Sequence, residues 1–168
     1  RQMCIRDSPY DPSKAAGGSS GGAATALALR MLPVADGSDH GGSLRNPAAF
    51  NNVLGLRPAY GRVPVATDEV FLPGMSVAGP MARKTGDLAA LLAVQAGYDP
   101  RVPMSIRQDP AGSLGPLDRD VKGLRIGWLG DLDGHLPMED GVKALCREAL
   151  KAFERLGAKV EDASLGFD

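Results

Sequence analysis

Two serines set in glycine-rich turns are the residues of this chain best suited to chemistry. Ser19 lies in Gly17-Gly18-Ser19-Ser20-Gly21-Gly22, and Ser43 in Asp39-His40-Gly41-Gly42-Ser43-Leu44-Arg45. Glycine permits backbone angles closed to other residues and lets a substrate approach the main chain. A serine held in such a turn is exposed and fixed, as a nucleophile must be. The Gly41-Gly42-Ser43 run can also aim successive N–H groups at a developing oxyanion. A flexible linker is the plain alternative for the first turn, but the helix-forming run after it and the second serine motif argue for a site. A phosphate-cradling loop requires a Gly-Lys-Ser/Thr ending, which is absent.

Other candidates weigh less. His40 directly precedes the Gly41-Gly42-Ser43 run, and neighbours in sequence rarely aim an imidazole at the following serine, so a substrate-pocket or structural role fits it better. Asp131, Asp133, Glu139 and Asp140 lack a recognised ligand spacing and read as a solvated loop and helix start; no metal site is expected. Phe71, Met75, Met81 and Trp128 read as core or pocket lining.

Elements must position these turns. Ala23–Arg30 is strongly helix-forming, and its N-terminus would turn unpaired N–H groups toward the first glycine turn. Leu32-Pro33-Val34-Ala35 reads as a short buried strand delivering Gly37 to Ser43. Pro47 opens a short helix through Phe50, and Val53–Leu56 is extended. Thr85–Ala96 is an amphipathic helix, with Thr85 as N-cap, Asp87 in the first turn, Leu88, Leu91 and Leu92 at helical spacing, and Gly97 as its stop. Residues 99–121, with Pro100, Pro103, Pro110 and Pro116, form a long surface loop. Leu124–Leu129 is a strand and Val142–Leu156 a helix with an apolar stripe of Val142, Leu145, Ala149, Leu150, Phe153 and Leu156. Gly157 stops that helix, and Lys159-Val160-Glu161 begins the next strand. Strand, helix and strand in this order predict a parallel crossover in an α/β sheet.

Composition narrows the function. The 168 residues carry a net charge of −1 with both signs interspersed, so no electrostatic footprint for nucleic acid is present. Cys4 and Cys146 form no ligand or redox spacing and read as reduced thiols. No apolar run is long enough to span a membrane and no signal peptide is legible. A cytoplasmic location is expected, and a homo-oligomer is among the assemblies the sequence allows.

The stretch from Gly17 to Pro58, GGSSGGAATALALRMLPVADGSDHGGSLRNPAAFNNVLGLRP, resembles the defining segment of the amidase signature hydrolases. Gly61-Arg62-Val63-Pro64 and Gly79-Pro80-Met81-Ala82-Arg83 continue the resemblance more loosely. It implies an α/β fold, a mixed twisted sheet covered by helices, present here in part. It also implies carboxamide C–N hydrolysis through an acyl-enzyme, with neither metal nor organic cofactor, acting on a small amide. Ser43 would be the nucleophile and Ser19, following a cis Gly18–Ser19 peptide, the bridging serine. A neutral lysine would take the proton from Ser19; in the family it lies several dozen residues ahead of the first turn, outside this sequence. Backbone N–H groups from His40 through Gly41 and Gly42 to Ser43 would meet the oxyanion, with Ser20, Asp39 and Arg45 in support.

Residues 8–168 are expected to form a partial domain, and Arg1–Asp7, which do not fit the family pattern, a non-native leader. One branch of the family is the glutamine-hydrolysing component of the tRNA-dependent amidotransferase. It carries an Asp-Gln pair where this chain has the stretch Phe71–Pro80, which favours a stand-alone amidase. A non-catalytic remnant serving as an interaction module is the reading from another class.

Overall fold

The first strand forms in a segment with little intrinsic liking for it. In a computed structural model describing residues 7–67, 74–109 and 115–166, β1 spans Val34–Asp39, VADGSD. It pairs antiparallel with β3, Val77–Ala82, in a register that sets Gly37 opposite Gly79 and Asp39 opposite Val77. On the other side of β3 lies the two-residue β2, Leu54–Gly55, so the strand order is β1-β3-β2. The strand expected at Leu32–Ala35 therefore starts two residues later and reaches Asp39. It is only partly buried, and Leu32 is exposed. Pairing with β3 sets this boundary, which local propensity does not.

Three helices cover this sheet. Helix α1, Gly21–Ala28, starts directly after the first serine turn, where Ala24 N–H donates to Ser20 O at 3.1 Å. Helix α2, Arg45–Phe50, takes up the chain after Ser43. Helix α3, Thr85–Gln95, buries Leu92. Lys84, not Thr85, occupies its N-cap position, and no side chain caps it. The core joins α1, the turn after β1, α2 and β3 through Ala24, Leu27, Leu44, Ala48 and Met81. At the C-terminal end of α1, Arg83 Nη1 donates to the carbonyls of Leu27 at 2.8 Å and Leu32 at 2.6 Å. A cation there complements the negative end of the helix dipole.

The long proline-rich loop begins with a pinned segment. Ile106 N–H donates to Gly61 O at 2.9 Å, and the Ser105 hydroxyl donates to Gly97 O at 3.2 Å. Pro110 lies outside the described residues, as do Cys4, Phe71 and all of the expected leader but Asp7.

The chain divides into two compact units, 1–117 and 118–168. In the second, β4, Arg125–Trp128, pairs parallel with β5, Lys159–Asp162. Helix α4, Asp140–Arg155, makes the crossover, as the sequence predicts. Gly157, at φ +91°, turns the chain back toward β5. The apolar stripe of α4 has the predicted spacing, yet it is not covered: Leu145 is 72% exposed and Val142, Phe153 and Leu156 are also open. Ala158 is the one buried residue among those described in this unit.

Candidate active site

Asp39, the last residue of β1, organises the second serine turn. It is fully buried, so its carboxylate must be met by donors. Gly42 N–H reaches Oδ1 at 2.7 Å, Leu44 N–H reaches Oδ2 at 3.2 Å, and Arg45 Nε reaches Oδ2 at 3.0 Å. Arg45 Nη2 completes a two-pronged contact at 3.1 Å from Oδ1. The Arg45 guanidinium holds this carboxyl well below the usual carboxylate range; burial opposes it, and the N–H groups of Gly42, Leu44 and Arg45 reinforce it. Asp39 thus stays ionised and draws the turn around itself.

A second cation was not read from the sequence. Arg57 Nη1 donates to Asp39 Oδ1 at 3.1 Å and also to the Asp39 carbonyl, while Nη2 donates to Met75 O at 2.8 Å. The signal was present in Gly-Leu-Arg-Pro, but a cation so distant in sequence declares its partner only in the fold. Met75 contributes its carbonyl; its side chain is exposed, contrary to the core or lining role expected. Met81 is fully buried in the core, and Trp128 is partly buried.

The two serine turns meet. Ser20 N–H donates to Ser43 O at 3.2 Å, and the Ser20 hydroxyl donates to Ser38 O at 3.4 Å. Ser43 is partly buried at the head of α2, whereas Ser19 and His40 are exposed. The Gly18–Ser19 peptide is cis. Gly42 adopts φ +113°, and a Cβ there would stand 2.8 Å from Asn46 Nδ2, so the turn requires glycine. Its N–H is engaged by Asp39, which removes it from the four donors expected for an oxyanion. The N–H groups of His40, Gly41 and Ser43 have no hydrogen-bond acceptor among the described residues.

Asn51 ties the approach to the first turn, a contact the sequence did not announce. Buried behind α2, it donates through Nδ2 to Ala16 O at 2.7 Å and Pro47 O at 2.8 Å, and accepts from the Thr25 hydroxyl at 3.1 Å. A cavity of about 340 Å³ opens beside Ser38, Tyr60, Val63, Ala78 and Val102. Ser38 and Ala78 are cross-strand partners, and their side chains leave the sheet on the face opposite Gly37 and Gly79. Neither Ser19 nor Ser43 lines it. No group of potential metal ligands occurs among the described residues, where no helix is long and apolar enough to cross a membrane.

The family model described as Amidase matches residues 6–166. The glutamyl-tRNA(Gln) amidotransferase A chain of Anaeromyxobacter dehalogenans (strain 2CP-C) is 43% identical over 162 residues, covering 94% of this chain and 32% of its own. A bacterial aryl acylamidase of the amidase signature family superposes with a TM-score of 0.83 at 38% identity, over 95% of this chain and 33% of its own. The corresponding glutamyl-tRNA(Gln) amidotransferase component of Thermotoga maritima superposes with a TM-score of 0.80 at 32% identity, over 95% and 35%. The chain spans about a third of the length of these relatives. It belongs to the amidase signature family.

Proposed function

We propose that this chain carries the nucleophile and oxyanion turns of an amide C–N hydrolase. The observation that carries the reading is the contact between the two serine turns, Ser20 N–H on Ser43 O, beside a turn shaped by ionised Asp39. Ser43 Oγ attacks the carboxamide carbonyl as its proton passes to Ser19 Oγ. The Ser19 proton in turn passes to the neutral lysine that the family places ahead of these residues. The oxyanion is received by the N–H groups of His40, Gly41 and Ser43, each such donor being worth about 2.7–4 kcal/mol in other hydrolases. The C–N bond then breaks, the leaving nitrogen takes the relayed proton, and water releases the acyl group from Ser43. Asp39, Arg45 and Ser20 hold the turns and touch no reacting atom.

A second reading, the glutamine-hydrolysing component of a tRNA-dependent amidotransferase, is favoured by relatives of that name at 40–43% identity. The stretch Phe71–Pro80 lacks the Asp-Gln pair and favours a stand-alone amidase acting on a small amide instead. Fluorophosphonate labelling of the polypeptide that carries this chain tests the chemistry. Ser43 is expected to be labelled, Ser43→Ala to abolish labelling, and Ser19→Ala to suppress turnover while the circular dichroism spectrum is kept. Equal labelling of wild type and Ser43→Ala would refute Ser43 as the nucleophile, and no labelling of either would favour the remnant reading. Ammonia release from glutamine, compared with release from aryl and alkyl amides, separates the two substrates.

A further inference from the structure

Leu44 follows Ser43 directly and is fully buried, in a socket to which each strand of the sheet contributes a glycine. A Cβ on Gly37 of β1 would lie 2.5 Å from Ser20 Oγ and 2.8 Å from Leu44 Cδ2, and one on Gly79 of β3 would lie 2.4 Å from the Leu56 carbonyl oxygen and 2.9 Å from Leu44 Cδ1. These two glycines are cross-strand partners. A Cβ on Gly55 of β2 would lie 2.8 Å from both Ala48 Cβ and the Leu44 carbonyl oxygen. Both methyls and the carbonyl of one residue therefore rest where three strands have no side chain. Leu44 also belongs to the core cluster that holds Ala24 and Leu27 of α1. Its N–H is held by Asp39 at 3.2 Å, and its carbonyl accepts from Ala48 N–H at 3.2 Å.

We propose that Leu44 is a positioning residue for the Ser43 nucleophile, and that Gly37, Gly55 and Gly79 form the socket that fixes it. The proposal rests on Ser43 being the nucleophile. Ser43 hangs between two immobilised points: its own carbonyl on Ser20 N–H, and the buried residue that follows it. A fully buried leucine packed against this socket leaves the Ser43 backbone little room to shift, and a misplacement of about 1 Å can cost about 100-fold in rate. Glycine weakens a strand and adds no packing of its own; at these three positions it admits Leu44 together with Ser20 Oγ, the Leu56 carbonyl oxygen and Ala48 Cβ.

The test compares Leu44→Ala with Leu27→Ala in the polypeptide that carries this chain. Both remove the same atoms from one core, but only the first adjoins Ser43. At a temperature where both variants are folded, Leu44→Ala is expected to slow fluorophosphonate labelling of Ser43 by about 30–100-fold. Leu27→Ala is expected to stay within about threefold of wild type, and the volume-conserving Leu44→Met to recover most of the rate. Should Leu44→Ala not fold, Leu44→Val replaces it, with a loss of about tenfold expected on the same argument. Equal labelling rates for the Leu44 and Leu27 variants would overturn the proposal. Wild type labelled no faster than Ser43→Ala would instead overturn the nucleophile on which it rests.

Discussion

Asp39 holds a negative charge where no solvent reaches it, and most of the second turn hangs from that charge. Its partners differ in exposure: the Arg45 side chain is 54% exposed and that of Arg57 26%. Both arginines can rehydrate when the carboxylate is removed. The expected loss for Asp39→Asn is therefore at the lower end of the about 3–5 kcal/mol that breaking a buried pair costs, read by urea unfolding near neutral pH. The pH dependence follows from the depressed carboxyl. Stability from a group whose folded value is lowered is fully present above its unfolded value, about 3.9 for Asp, and is lost as pH falls through the folded value. Wild type should hold a level melting temperature through the weakly acidic range and lose stability below about pH 4. Asp39→Asn should start lower and lack that part of the acid limb. An unchanged acid limb in the variant would show that Asp39 is not the titrating group.

The elements that matter here are short and depend on cross-links more than on propensity. Helix α2 has six residues, too few to hold itself together in water. Asn51 ties its last turn to the approach at Ala16 and to Thr25 of α1. Replacing Asn51 with leucine keeps the volume but strands the Thr25 hydroxyl and the Ala16 carbonyl in a dry site. The expected cost is about 2–3 kcal/mol for polar groups left without partners. The loss should appear in thermal unfolding and be largely absent when Asn46, exposed on the same helix, is changed instead. A difference below measurement error between the two variants would remove Asn51 from this role. Arg83 acts similarly for α1, because its guanidinium joins the Leu27 carbonyl in the last turn of the helix to the Leu32 carbonyl in the segment that follows.

At the scale of the whole molecule, every candidate site residue and the core cluster belong to the unit 1–117. Among the described residues, the unit 118–168 holds a two-stranded parallel sheet and one helix whose apolar stripe is open. A two-stranded sheet is marginal in water by itself. The peptide 118–168 is thus expected to show no cooperative thermal transition by circular dichroism, whereas 1–117 should melt cooperatively. A sharp, concentration-independent transition in 118–168 would refute this.

The sequence by itself determined the chemistry-bearing residues and the elements with strong internal periodicity. Covalent order alone places Ser43 after two glycines, and the 3.6-residue spacing of Val142, Leu145, Ala149 and Phe153 suffices for α4. Gly157 and the β4-α4-β5 crossover follow from the same local rules. Tertiary structure decided what these rules do not reach. The polar, glycine-containing VADGSD becomes a strand because β3 pairs with it. Gly42 N–H turns to Asp39 because that carboxylate is buried. The contacts Arg57–Asp39, Thr25–Asn51 and Asn51–Ala16 span 18, 26 and 35 residues. The Leu44 socket exists only once three strands lie side by side. Propensity and periodicity act within a few turns of chain, whereas hydrogen bonds and close packing between distant segments are fixed by which surfaces fold against each other.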